Sequence, residues 1–240
     1  MRATEGPVIF LDFDGVMCDS INECFVSSWI AYGSGRPTIS VPIHDYQLFR
    51  SYRPFIRRGG DYVLLQRCID LGVSLNSQED FDAQESSAGG AQMDKYHDEF
   101  YAAREELLRT DRTYWLGLNR VYPAVHDALK KAAGSAWILT TKKVDFALEI
   151  AQSQGLAWDR ERIICSGKQK KLDIIAKTIG SGQSRAVFVD DQIDHFEGRA
   201  GQRIDCYLAA WGYVSPEWLQ REVKVIHEHD FNRLMTRWLP

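Results

Sequence analysis

No Cys-x-x-Cys pair occurs among the five cysteines, Cys18, Cys24, Cys68, Cys165 and Cys206. An odd, scattered set argues against a zinc site or a disulfide framework and fits reduced thiols in the cytoplasm. Basic charge is scarce as well. The 29 lysines and arginines against 33 acidic residues leave a formal net charge of −4, which draws the chain neither to nucleic acid nor to an anionic membrane surface. A nucleic-acid binder of this size usually carries a basic face, and none is evident. Long apolar runs are missing too. The run from Val8 to Leu11 is too short for a signal sequence, and no later one could span a bilayer. There is no internal repeat. A cytoplasmic globular protein is what these absences leave. With 240 residues, 45% hydrophobic and 12% aromatic, it can bury the core of one α/β domain, or of a core carrying a smaller insertion.

What is present is an alternation of apolar strands and amphipathic helices. Val8-Ile9-Phe10-Leu11-Asp12 reads as a strand buried on both faces. Further strands are expected at Ala136–Thr140, Arg162–Cys165, Ala186–Asp190, Cys206–Ala210 and Val223–Ile226. Helices fall between them, opening at Tyr122-Pro123 and covering Val144–Gln154, Leu172–Ile179 and Ile193–Gly201. A terminal helix starts at Asp230. This order predicts an α/β fold with a Rossmann-like parallel sheet and helices on both faces. From Ile21 to about Tyr114 the pattern is helical, with a break at Ser86-Ser87-Ala88-Gly89-Gly90. Residues 1–20 and 115–240 therefore read as the core, and 21–114 as an inserted helical cap.

Three of the strands end in polar residues: Asp12, Thr140, and the pair Asp190-Asp191. Strand C-termini of an open parallel sheet share one edge, and ligands bind where the strand order reverses. Asp12 and Asp14 lie two residues apart and would point the same way if the strand persisted. Gly15 permits a tight turn behind them. So many carboxylates at one edge would push one another toward protonation unless a cation intervened. Hard oxygen ligands of this kind suit Mg²⁺.

These residues carry a resemblance. Val-Ile-Phe-Leu-Asp12-Phe-Asp14-Gly15-Val-Met-Cys-Asp19-Ser20 resembles the first signature of the haloacid-dehalogenase superfamily in its phosphatase form. Ile138-Leu139-Thr140-Thr141-Lys142 resembles the second, and Phe188-Val189-Asp190-Asp191 the paired-acid version of the fourth. A lysine ahead of a helix, the third, is offered by Lys168, Lys170 and Lys171, with Lys170 taken as the candidate. Tyr122-Pro123 and Trp211-Gly212-Tyr213 are similar to phrases of the phosphoglycolate-phosphatase-like branch.

The resemblance implies a Mg²⁺-dependent phosphatase. Asp12 would form an aspartyl-phosphate, and Asp14 would serve as general acid and base. Thr140 and one lysine would bind the transferring group, next to Gly15, Thr141 and Lys142. Mg²⁺ would be held by Asp12, Asp14 and Asp190 or Asp191. Asp14 speaks against a metal-independent haloacid dehalogenase, which lacks that acid. A phosphomutase and a non-catalytic binding module remain alternatives.

The long stretch between Asp14 and Thr140 corresponds to a helical cap of the first type, which favours a small phosphorylated metabolite over nucleic acid or a membrane. Within it, the basic segment holding Arg53 and Arg57 could bind a carboxylate or second phosphate, or could form a solvated basic face paired with acids of the cap. His44 and His97 read as cap structure. His195, just after the fourth motif, could sit near the site, with a helix-surface role the favoured reading, and Asp194 reads as a helix N-terminal acid or an outer partner of the metal.

Overall fold

A computed structural model of the protein describes residues 6–33, 43–181, 184–198 and 203–239. The chain divides into two compact units, Met1–Asp19 with Arg120–Pro240, and Ser20–Asn119.

The first unit begins with β1 (Val8–Leu11) and the two-residue β2 (Cys18–Asp19). It resumes with β3 (Arg120–Val121), which pairs antiparallel with β2. The elements β4 (Trp137–Thr140), β5 (Ile163–Cys165), β6 (Ala186–Asp190), β7 (Ile204–Ala209) and β8 (Lys224–Ile226) follow. With β1 they form a six-stranded sheet in the order β5-β4-β1-β6-β7-β8, parallel at each pairing. All five residues of β6 are buried, as its unbroken apolar run requires for a central strand covered on both faces. From β1 the chain builds outward to β4 and β5 on one side and to β6, β7 and β8 on the other. The order therefore reverses beside β1, the position where such sheets open a crevice.

Alternation along the strands assigns the two faces. Phe10, Phe188, Cys206 and Leu208 belong to one buried cluster with Leu172 and Ile175, which lie on the helix Lys171–Ile179. Tyr207, pointing the opposite way, places its ring 5.1 Å from Trp238 on the terminal helix Glu228–Trp238. Helices His126–Ala132 and Val144–Ser153 complete the described helices of this unit.

In the second unit the described helices are α1 (Ile21–Tyr32), α2 (Ile43–Ser51), α3 (Gly59–Asp70), α4 (Gln78–Ala88), α5 (Gly90–Thr110) and α6 (Arg112–Gly117). The four helices of the first unit are accordingly α7 (His126–Ala132), α8 (Val144–Ser153), α9 (Lys171–Ile179) and α10 (Glu228–Trp238). Phe25 meets Phe49 edge-on, and Tyr62 stacks on both Phe49 and Phe100, joining α1, α2, α3 and α5 in one aromatic core.

Several expected boundaries shift. Ser86 to Ala88 stay helical, and the break narrows to Gly89, whose φ of 77° an L side chain resists. α7 starts at His126 and not at Tyr122, because the turn around Pro123 precedes it. The helix expected from Ile193 is a 3₁₀ turn, Ile193–Phe196, and the end of that expectation, 199–201, lies outside the described residues. β2 and β3 are too short to show a period.

Candidate active site

Asp12 is the first residue beyond β1. Its amide donates to the carbonyl of Val189 at 2.9 Å, which extends the sheet pairing by one residue and fixes the side chain at the strand-end edge. Its Oδ1 accepts the Phe13 amide at 2.7 Å, and its Oδ2 meets Lys171 Nζ at 2.9 Å. Lys171 opens α9 and is itself buried. The same ammonium reaches Asp190 Oδ2 at 2.8 Å. Asp190, wholly buried, is saturated by its neighbours. His195 Nδ1 lies 2.8 Å from that Oδ2, and the Gln192 amide donates to Oδ1 at 2.8 Å.

Two carboxylates thus share one ammonium in a buried place. Burial pushes Asp12 up to about 6, with Asp190 adding to the rise and Lys171 and His195 opposing it. Burial acts the same way on Asp190, yet His195 and Lys171 outweigh it and hold that carboxyl well below the usual range. Lys171 loses by burial and gains more from Asp12 and Asp190, so it stays protonated. The negative charge the site holds most easily is on Asp190, and the strained one is on Asp12.

A second ion pair lies alongside. Lys142, also buried, places Nζ 3.3 Å from Asp14 Oδ1, and its amide donates to Thr140 Oγ1 at 3.1 Å. Thr140 ends β4, and its carbonyl accepts the Ser166 amide at 2.8 Å, which ties the β4 and β5 strand ends together. β1 stops before Asp12, so the expected strand alternation does not govern Asp14. The turn itself places it, through an isolated bridge to Cys18 and the bond from the Gly15 amide to the Cys18 carbonyl.

Asp191 completes the group. Its Oδ2 accepts the Tyr213 amide at 2.7 Å. A Cβ at Gly15, where φ is +85°, would lie 1.9 Å from that oxygen, and one at Gly212 would lie 2.4 Å from Asp191 Cβ. Only glycine fits at either position.

Four carboxylates gather here against the ammonium groups of Lys142 and Lys171. Buried hard oxygens in such excess fit a hard divalent cation, which would offset the charge. Asp12, Asp190 and His195 have ligand atoms within 4.8 Å of one another, and Lys171 already contacts both carboxylates of that trio. Asp191, enclosed where two glycines leave room for nothing else, is the acid of the fourth motif not engaged by that lysine.

Several solved structures share this architecture along nearly the whole chain. A haloacid dehalogenase-like hydrolase from Streptococcus pneumoniae superposes with a TM-score of 0.55 at 16% identity, covering 98% of this chain and 99% of its own. A Lactobacillus delbrueckii protein described as a phosphoglycolate phosphatase gives 0.61 at 13% identity, with 98% and 99% covered. The fold is that of haloacid-dehalogenase-like hydrolases. Protein Tyrosine Kinase A of Mycobacterium tuberculosis also shares it, with a TM-score of 0.57 at 14% identity and 98% and 99% covered, so the fold by itself leaves the reaction open. No protein-family model and no curated protein matches the sequence.

Within this haloacid-dehalogenase-like core the structure brings together Asp12, Asp14, Gly15, Thr140, Lys142, Asp190 and Asp191. Thr141, half-buried, follows Thr140, and its carbonyl lies 3.7 Å from Cys165 Sγ. Lys170 is a correction. It caps α9 with its side chain exposed, as Lys168 is, and Lys171 turns inward instead. Spacing could not fix the helix start, and a one-residue change there rotates the side chain by about 100°. Of the two readings of His195, the structure shows the one near the site, in contact with Asp190.

Arg53 and Arg57 belong to the helical unit. Arg57 is held by Asp82 at 2.7 Å. Arg53 is buried, with its guanidinium 5.3 Å over the Tyr62 ring and Nη1 donating to the Ile56 carbonyl at 3.3 Å. Tyr213 was legible only as part of a phrase, since its amide bond to Asp191 leaves no mark on residue type. Among the described residues, no helix is long and apolar enough to cross a membrane.

Proposed function

We propose that the protein is a Mg²⁺-dependent phosphatase of small phosphomonoesters. One observation carries the reading: a buried carboxylate, Asp12, held 2.9 Å from a buried ammonium that also binds Asp190, at the edge where Asp14 and Thr140 are also found. In this reading an Asp12 oxygen attacks phosphorus, the bond to the leaving oxygen breaks, and Asp14 gives that oxygen its proton. Asp14 then takes a proton from water as the water attacks the aspartyl-phosphate and the bond to Asp12 breaks. Lys171 orients Asp12 and offsets charge on the transferring group, and Asp190 anchors Lys171. Thr140 and Lys142 line the phosphoryl oxygens. Asp12, Asp14 and Asp191 would hold Mg²⁺, which when bound neutralises charge on the phosphoryl group.

In this reading the helical unit is a cap that selects a small substrate, and Arg53 is its candidate cationic group. Arg57, already paired with Asp82, serves the cap's own structure. Phosphoglycolate-like and sugar phosphates both fit this reading. The test is a panel of phosphorylated metabolites assayed for released phosphate with Mg²⁺, with a chelator, and with Asp12→Asn. Release that needs Mg²⁺ and Asp12 is expected. Release that survives the substitution would reject Asp12 as nucleophile.

A further inference from the structure

Next to the site lies a loop that the chemistry above does not use. β7 ends at Ala209 beside β6, and Trp211-Gly212-Tyr213 follows at the same strand-end edge as Asp190 and Asp191. Each of the three residues reaches across to the site-bearing segments. Trp211 Nε1 donates to the Val16 carbonyl at 3.0 Å, in the turn just after Asp14 and Gly15. A Cβ at Gly212 would sit 2.5 Å from the Gly15 carbonyl as well as 2.4 Å from Asp191 Cβ. The Tyr213 amide binds Asp191 Oδ2, and its hydroxyl donates to Asp19 Oδ1 at 2.7 Å. The loop is itself anchored from behind. The Gly212 amide donates to the Ala209 carbonyl at 3.1 Å, and the Trp211 ring packs edge-on against Phe231 at 5.4 Å.

We propose that Trp211-Gly212-Tyr213 is a positioning clamp that sets the distance between the Asp14-Gly15 turn and the Asp191 carboxylate, and so sets the affinity for a divalent cation. The inference rests on the reading that Mg²⁺ binds here. Two segments far apart in sequence each contribute oxygens, and nothing in the strand pairing of β1 with β6 fixes the turn beyond Asp12. The clamp does so from a third strand end. It holds the turn at Val16 and Asp19 and the acid at Oδ2, with van der Waals contact at Gly212 removing the slack. Outer partners that orient metal ligands commonly change metal affinity by ten- to a hundredfold when lost.

The test is Mg²⁺ binding to the full-length protein without substrate, measured by isothermal titration calorimetry. Gly212→Ala is expected to weaken binding by roughly tenfold or more, because its methyl must displace Asp191 or the Gly15 carbonyl. Tyr213→Phe removes a single oxygen, retains the amide donor, and is expected to weaken binding about threefold. Gly134→Ala, at an exposed glycine with open space around it, is the control and should bind as wild type does. Each variant is first shown to be fully folded by circular dichroism and denaturant unfolding, so that a raised dissociation constant reports the site and not a smaller folded fraction. If Gly212→Ala does not fold, Tyr213→Phe decides. Wild-type affinity in the folded variants would overturn the clamp and leave the proposed function standing. A wild-type protein that binds no Mg²⁺ would reject both.

Discussion

Each unit of the molecule buries a charged cluster, Glu23 with Arg104 in one and Asp12 and Asp190 with Lys171 in the other, and the two are balanced differently. In the helical unit, Glu23 and Arg104 meet through two bonds of 2.7 and 2.6 Å. Glu23 also accepts Ser27 Oγ at 2.7 Å and Trp115 Nε1 at 3.2 Å. One acid faces one base, and the Arg104 guanidinium lies 4.4 Å over the Phe100 ring. Burial alone would make Arg104 easier to deprotonate, yet Glu23 outweighs it and holds the proton more firmly. In the sheet unit, Asp12 and Asp190 divide the single ammonium of Lys171, and Asp12 is left with its carboxyl pushed up to about 6. The first cluster is satisfied and closed. The second carries surplus charge, the kind of perturbation that collects at working sites.

Breaking the surplus at its centre should give the largest effect. Asp12→Asn is expected to cost turnover on the order of 10⁴-fold or more, read as phosphate release. The same change should make the protein more stable. The folded-state value of Asp12 lies above the ordinary aspartate value of 3.8, so its ionised form opposes folding at neutral pH. The gain should be absent below pH 4, grow as pH rises toward 6, and reach ~1–3 kcal/mol above it, checked by denaturant unfolding at several pH values.

Arg104→Met should do the opposite. It strands Glu23 as a buried, uncompensated charge and is expected to cost ~3–5 kcal/mol of stability. Glu23→Leu with Arg104→Met should recover most of that loss, since the pair is replaced and not broken. Failure of the double substitution to recover stability would show that Ser27 and Trp115 depend on Glu23 more than the pair itself does.

The pH dependence sharpens the contrast further. An ionised nucleophile makes kcat/KM fall as pH drops through about 6, the value burial gives Asp12. Because Lys171 lowers that value, Lys171→Met should move the acid limb to higher pH, and more Mg²⁺ should move it lower. An acid limb that stays fixed in Lys171→Met would separate that limb from Asp12.

Much of this was readable in residue order alone. The apolar runs of β1, β4 and β6 marked a parallel sheet, and their polar endings marked the edge where Asp12, Thr140, Asp190 and Asp191 gather. Where the sequence reading ran short, local geometry was the reason. β2 and β3 have two residues each, too few for any period. Gly15 and Gly212 matter through one close approach to Asp191, and that is a property of three strand ends at once. For His195 the sequence left a helix surface and a place near the site both open, and a 3₁₀ turn, formed where a full helix was expected, carries its ring to Asp190. The helical unit was readable as helices, but nothing in the spacing of Glu23, Arg104 and Trp115 announced that they share a hydrogen-bond network.

The smallest expected effect concerns the adjacent lysines. Lys170 and Lys171 have the same chemistry and differ by one position at the start of α9. Lys171 is 2% exposed, whereas Lys170 caps the helix in solvent. Lys171→Ala removes the only ammonium between Asp12 and Asp190 among the described residues. It leaves two carboxylates without their counter-ion, and a loss of about 10²- to 10³-fold in kcat is expected. Lys170→Ala removes a solvated charge, which water and salt already screen, so kcat/KM should stay within about twofold. A large loss in Lys170→Ala with little in Lys171→Ala would mean that α9 begins one residue earlier in the working protein. Asp190 would then be held by His195 and the Gln192 amide alone.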